Sequence, residues 1–187
     1  MGRLRIVAGS LKGRRIVAPQ VGDVRPTSER VREALFDILG GRVQGAGVLD
    51  FFAGSGAVGC EAISRGASEV IFVEADPRVA RVLRANLEAL GALGRGRLII
   101  GDAVAACRGL TESGPFDVVF ADPPYRGDTA ERFLPALAVS GLLTASSAVV
   151  LERPARAAPI EPPPGLLRVR EARYGDSRLD FYEPVHP

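Results

Sequence analysis

Residues 47–66 read GVLDFFAGSGAVGCEAISRG. An apolar run enters a glycine turn and is followed at once by AVGCEAIS, a helix-length segment ended by Gly66. Strand, tight turn and helix in that order open a βαβ unit, and so a parallel sheet. The alternation repeats downstream. SEVIFVEAD (68–76) is a second strand, and PRVARVLRANLEALG (77–91) is a helix with Pro77 at its start and Gly91 at its end. GRLIIGDA (96–103) and FDVVFADPPY (116–125) are a third and fourth strand, ERFLPALAVSGLL (131–143) a helix despite Pro135, and SAVVLERP (147–154) a fifth strand. LLRVREARYGDSRLDFYEP (166–184) holds two alternating strands around GDS, a hairpin signal. PARAAPIEPPPG (154–165) is a proline-rich loop.

Upstream, LRIVAG (4–9) and RRIVAP (14–19) flank SLKG and read as a basic β-hairpin. RPTSERVREALFDIL (25–39) then begins on good helix-starting residues. Val31, Ala34, Leu35, Ile38 and Leu39 recur at helical spacing, and Gly40 and Gly41 stop the helix. The expected fold is α/β: a doubly wound, mostly parallel, Rossmann-like sheet with an antiparallel C-terminal hairpin and a small N-terminal β-hairpin appendage. Residues 1–24 form that basic extension and 25–187 the main domain.

Composition removes several kinds of chemistry. The 187 residues are 47% hydrophobic and 25% charged, as in a soluble globular protein. No apolar run approaches the roughly 18–20 residues that span a bilayer. MGRLRIVAGSLKGRR is basic but lacks the apolar core of a secretory signal, so a cytoplasmic protein is expected, with no membrane contact. Two cysteines, Cys60 and Cys107, sit in helix-like apolar settings and read as core thiols; the single histidine, His186, adjoins the C-terminus. No Cys/His cluster exists for zinc, and no metal is expected. A Ser-His-Asp or Cys-His mechanism is excluded for want of a usable base. Chemistry must come from carboxylates, backbone groups, aromatics or a cofactor.

Charge is uneven. Within residues 1–32 stand Arg3, Arg5, Lys12, Arg14, Arg15, Arg25, Arg30 and Arg32 against Asp23 and Glu29, although the whole chain carries only +2. Such an excess is the footprint of a phosphate-backbone partner. Lys12 is the only lysine, so an arginine-rich solvated surface explains part of it.

In open α/β sheets the ligand lies at the carboxyl ends of the strands. Each of the first four sheet strands ends in an acid: Asp50, Glu74, Asp102 and Asp122. GSGAVG (54–59) fits G-x-G-x-x-G, with Glu74 twenty residues beyond Gly54, which is the dinucleotide pattern. An NAD-linked oxidoreductase is therefore one reading. Against it, Asp50 would face a bound pyrophosphate. A ligand with positive charge and no phosphate suits the same acids, and S-adenosyl-L-methionine is such a ligand. Glu74, with Ala75, would take its ribose and Asp102, with Ala103, its adenine. The turn Ala53, Gly54, Ser55 and Gly56 would lie against its methionine part, where a glycine admits close backbone approach. D-x-F-A-G-S-G (50–56) resembles the first motif of class I methyltransferases.

The tetrad Asp122-Pro123-Pro124-Tyr125 adds a substrate side. An exocyclic base amine is a poor nucleophile, because its lone pair is delocalised. Two acceptors near its hydrogens concentrate density on nitrogen and stabilise the charge that develops. The Asp122 carboxylate and the Pro123 carbonyl fit that role, the second held by the proline pair. Tyr125 offers a face on which a flipped base stacks. The tetrad resembles the (Asn/Asp)-Pro-Pro-(Tyr/Phe) signature of amino-group methyltransferases.

RIVAG…KGRRIVAP, RPTSERVREALFDIL, VLDFFAGSGAVGCEAISRGA, FVEAD and VVFADPPY, with Tyr174 and Gly175, together resemble the bacterial RsmD-type enzymes over nearly the whole chain. The resemblance implies methylation of the 2-amino group of a guanine in 16S rRNA, on the RNA or on the assembling 30S subunit, by a monomer. It also implies that the hairpin residues Arg3, Arg5, Lys12, Arg14 and Arg15, with Arg25, Thr27, Arg30 and Arg32, face RNA. The RPT segment would also close over the cofactor; Arg25 as a helix-entry residue is the plainer alternative. DPPY is shared with adenine 6-amino methyltransferases acting on DNA or RNA, and a non-catalytic RNA-binding protein on the same fold is a third class.

Overall fold

A strand buried on both faces needs apolar residues at nearly every position, and GVLDF, EVIFVE and FDVVFA meet that condition. The computed structural model describes residues 3–20, 27–124 and 127–185. In chain order these form β1 (Arg3–Arg5), β2 (Arg15–Val17), α1 (Glu29–Leu39), β3 (Gly47–Phe51), α2 (Ala57–Ser64), β4 (Glu69–Glu74), α3 (Pro77–Leu90) and β5 (Gly96–Ile100). There follow α4 (Ala103–Gly109), β6 (Phe116–Ala121), α5 (Thr129–Ala138), β7 (Leu143–Pro154), β8 (Leu166–Tyr174) and β9 (Ser177–Pro184). The seven-stranded sheet runs β5-β4-β3-β6-β7-β9-β8; the first five are parallel, and β9 and β8 close it as an antiparallel hairpin. Strand order reverses between β3 and β6, which is where such sheets bind ligands.

Local chemistry explains the helix ends. Ser28 caps α1 by accepting from the Val31 amide, Asp76 caps α3 ahead of Pro77, and Gly91 ends α3 in the left-handed region. Asp102 caps α4, a seven-residue helix too short to show a period in the sequence.

Two apolar layers cover the sheet. Val48, Val70, Phe72, Phe120 and Val150 pack with α1, α2 and α3 on one face; Leu49, Phe51, Val73, Val119 and Leu151 pack with α4 and α5 on the other. Cys60 and Cys107 are both buried, and burial pushes each thiol up to about 12, as core thiols require. No helix among the described residues is long and apolar enough to cross a membrane.

The β1–β2 hairpin is seated on the α/β layers. Ile6 and Ile16 are buried in the same core as α1 to α3. The Val7 and Ala8 amides donate to the Glu61 carboxylate at 2.8 and 2.9 Å, and the Val17 amide donates to Asn86 at 2.8 Å. Asn86 returns a bond to the Val17 carbonyl and another to that of Ser55, in the glycine turn.

Helix α2 lies so close to the sheet that a Cβ on Gly59 would stand 2.2 Å from Cε1 of Phe72, a ring with no exposure. Gly59→Ala is expected to cost about 1–3 kcal/mol, read as a lower urea midpoint with unchanged slope. An unchanged midpoint would show that the contact relaxes freely.

Candidate active site

Side chains alternate along a strand, so each acid's face follows from its neighbours. Val48, Phe72, Phe120 and Val150 lie on the α1–α3 face. Two residues further on, Asp50, Glu74, Asp122 and Glu152 continue the same rows at the carboxyl ends of β3, β4, β6 and β7. Phe120 pairs with both Asp50 and Val150 and Ala121 with Leu151, so Asp122 follows one position past the last pair, opposite Glu152 on a strand whose backbone runs about 5 Å away. Asp50 lies one pleat deeper.

The glycine turn frames the open side. The Gly54 amide donates to Glu74 at 2.9 Å and the Asp76 amide to its other oxygen at 2.8 Å, which fixes that carboxylate while leaving each oxygen a free lone pair. Gly54 has φ +55, and a Cβ there would meet only the Phe52 carbonyl at 3.9 Å, so the turn presents bare backbone to the cleft. Phe52 itself has φ 58, a costly conformation for an aromatic residue, and its ring packs edge-on against Phe133. Strain of this kind is held where a turn must aim its backbone.

Electrostatics set the site apart. Asp50 is 1% exposed, and burial pushes its carboxyl up to about 8, with Glu74 adding to the shift against one bond from the Gly59 amide. Burial raises Asp122 well above the usual carboxylate range, and the charges of Glu152 and Asp50 raise it further. Glu152 is raised by burial and held back by the hydroxyls of Ser177 and Thr27 and by Arg32. Acids gathered this way disfavour a phosphate and suit a cation, and S-adenosylmethionine is a ligand of that charge. Among the described residues no group of His, Cys, Asp and Glu is placed to hold a metal ion.

The site residues read from sequence fall as follows. Asp50, Ala53, Gly54, Ser55, Gly56, Glu74 and Asp122 come together at the switch point. Asp102 lies one strand further out, its side chain accepting from the Ala105 amide. Pro123 is buried and Pro124 exposed; Tyr125 lies outside the described residues, as do Arg25 and His186. Lys12, Arg14, Arg15 and Arg30 are exposed, Arg14 donating to the Ala89 carbonyl; Arg5 is also exposed and pairs with Glu29 at 2.9 Å. Arg30 lines a groove of about 520 Å³ between α1 and β8, with Glu33, Asp37, Arg170 and Tyr174. Two expectations are corrected. Arg32 has no exposure, and its Nη1 and Nη2 donate to the carbonyls of Thr27 and Arg5 at 2.7 and 2.6 Å, so it joins α1 to the hairpin instead of facing RNA. Thr27, 8% exposed, turns inward and donates to Glu152. Glu152 and Glu61 escaped sequence reading. Glu152 carried a usable signal, since it ends the fifth strand in VVLERP just as the other acids end theirs; Glu61 sits mid-helix with none.

A family model described as Conserved hypothetical protein 95 matches residues 4–183. Ribosomal RNA small subunit methyltransferase D of Escherichia coli K12 is 38% identical over 152 residues, covering 81% of this chain and 75% of that one. The protein of the same name from Haemophilus influenzae is 36% identical, covering 81% and 79%. Among solved structures, the yhhF protein of Escherichia coli superposes with a TM-score of 0.85 at 32% identity over 98% of both chains. A hypothetical protein of Thermus thermophilus gives 0.82 at 33% identity over 96% and 99%.

The raised Asp50 has a thermodynamic consequence. Unfolded, its carboxyl ionises near 4; folded, it holds its proton to about 8. Unfolding therefore releases a proton between those values, and stability falls as pH rises through the window. Asp50→Asn keeps an acceptor for the Gly59 amide and removes this penalty. Its melting temperature is expected to depend less on pH between 5 and 8 than the wild type's. Parallel curves would contradict the assignment.

Proposed function

The chain belongs to the Conserved hypothetical protein 95 family, alongside relatives named ribosomal RNA small subunit methyltransferase D, and from that premise we propose that it methylates the 2-amino group of a guanine in 16S rRNA, with S-adenosylmethionine as donor. The observation that carries the reading is Asp122: an acceptor followed by two prolines, at the tip of β6, level with Glu152 and beside the bare backbone of the glycine turn. The oxidoreductase reading falls with the family and with the acids that would oppose a pyrophosphate.

Each group has a task in this reading. When bound, S-adenosylmethionine supplies an electrophilic methyl carbon on a positively charged sulfur. The free lone pairs of Glu74 would accept from ribose hydroxyls, and Ala103 at the start of α4 would lie on the adenine side. Asp50 would answer the ligand's positive charge through the floor of the site, since it is itself 1% exposed. The Asp122 carboxylate and the Pro123 carbonyl accept from the two amine hydrogens, which draws electron density toward nitrogen and orients its lone pair. Tyr125 follows in sequence as the stacking face. The exposed cations Lys12, Arg14 and Arg15 on the hairpin, with Arg30 on α1, give a phosphate-backbone footprint, and the buried Arg32 holds that hairpin in place.

Asp122→Ala is expected to lower methyl transfer to 16S rRNA by about a hundredfold or more while donor binding stays within about threefold. Label transfer followed by mass spectrometry of the nucleosides checks it. The product expected is a 2-methylamino guanosine. Retained turnover would remove Asp122 from the chemistry, a 6-methylamino adenosine would move the substrate to adenine, and binding of rRNA without any methyl would leave only an RNA-binding protein.

A further inference from the structure

We propose that Glu152 is the positioning residue for Asp122, and that the two carboxylates work as one unit that takes up the proton the substrate amine must lose. The proton-uptake role rests on the methyltransferase reading; the coupling of the pair does not. Both oxygens of Glu152 are pinned: Oε2 accepts from the Thr27 hydroxyl at 2.9 Å and Oε1 from the Ser177 hydroxyl at 2.8 Å. Glu152 is 2% exposed and Thr27 8%. Thr27 is held in turn, because Arg32 donates to its carbonyl at 2.7 Å. A glutamine would satisfy most of these bonds without a buried charge, so packing alone gives no reason for a carboxylate. The reason lies on the next strand, where Asp122 stands level with it.

Two carboxylates side by side on neighbouring strands, Glu152 buried and Asp122 half-buried, do not both ionise readily. The groups facing the pair are Asp50 from β3, Arg32 from α1, Thr27 just ahead of α1, and Ser177 from β9. The two hydroxyl donors and Arg32 all favour the anion on Glu152, which leaves the shared proton on Asp122 in the free protein. A cation entering beside Asp122 displaces that proton and frees the carboxylate to accept from the amine. After transfer the positive charge sits on the substrate nitrogen. An N–H bond breaks there, its electron pair returns to nitrogen, and an O–H bond forms on Asp122. The pair is then back in its resting state, with no histidine required.

Carboxyl carbon NMR of the free protein, labelled at Asp and with the Asp122 signal assigned by its loss in Asp122→Asn, tests the coupling without turnover. Glu152→Gln is expected to lower the Asp122 midpoint by about one pH unit or more. Thr27→Val is expected to lower it less, because the proton then shifts toward Glu152, and Thr27→Ser is expected to restore it. An Asp122 midpoint unchanged in both Glu152→Gln and Thr27→Val would overturn the proposal. In turnover, Glu152→Gln is expected to reduce kcat by about tenfold or more with KM for the donor within about threefold. An unchanged kcat would overturn the proton-uptake role. Displaced midpoints in a wild-type protein that transfers no methyl would sink that role together with the methyltransferase reading, and leave the coupled pair standing.

Discussion

Four carboxylates share one face of one end of a sheet, and burial first, with repulsion between neighbours second, works against their charge. Asp50, Glu74, Asp122 and Glu152 share the α1–α3 face because each lies two residues beyond a core residue of that face. Among them Glu74 is neutralised in part by two backbone amides, Glu152 by two hydroxyls, and Asp50 by one amide. In the proposed reading the remaining negative potential is answered by protons in the free protein, or by a cationic ligand. A phosphate-bearing cofactor would add charge of the wrong sign.

The N-terminal hairpin belongs to this arrangement. It donates two amides to Glu61, a carboxylate with no exposure in α2, and Arg32 ties the hairpin's Arg5 carbonyl to the Thr27 carbonyl. The Thr27 hydroxyl then reaches Glu152. A continuous set of hydrogen bonds thus runs from the basic hairpin to the residue beside Asp122. Removing one member of such a set costs more than the bond it makes, because its buried partners are left without water.

Apart from the short α4, the order of strands and helices was legible because the periods were clean and the caps conventional: Pro77 and Gly91 bracket α3, and GDS turns β8 into β9. The acids at β3, β4 and β6 were legible because a carboxylate at a strand's end is conspicuous beside a glycine turn. Arg32 was misread because charge says nothing of direction. In ERVREALFDIL it lies next to Val31, on the helix's buried side, and only the hairpin's position reveals what it touches. Glu152 was passed over because LERP looked like the end of a strand and nothing more, although the logic applied to Asp122 covered it equally. The resemblance implied that Thr27 faces RNA, while its partner lies 125 positions away.

The central claim is that positive charge on the ligand replaces protons on these acids, and calorimetric titration of the free protein near neutral pH measures it. Heats of S-adenosylmethionine binding, compared in buffers of different ionisation enthalpy, are expected to show net proton release on binding, with no binding of NADH. Saturable NADH binding, or S-adenosylmethionine binding with the same heat in every buffer, would contradict it.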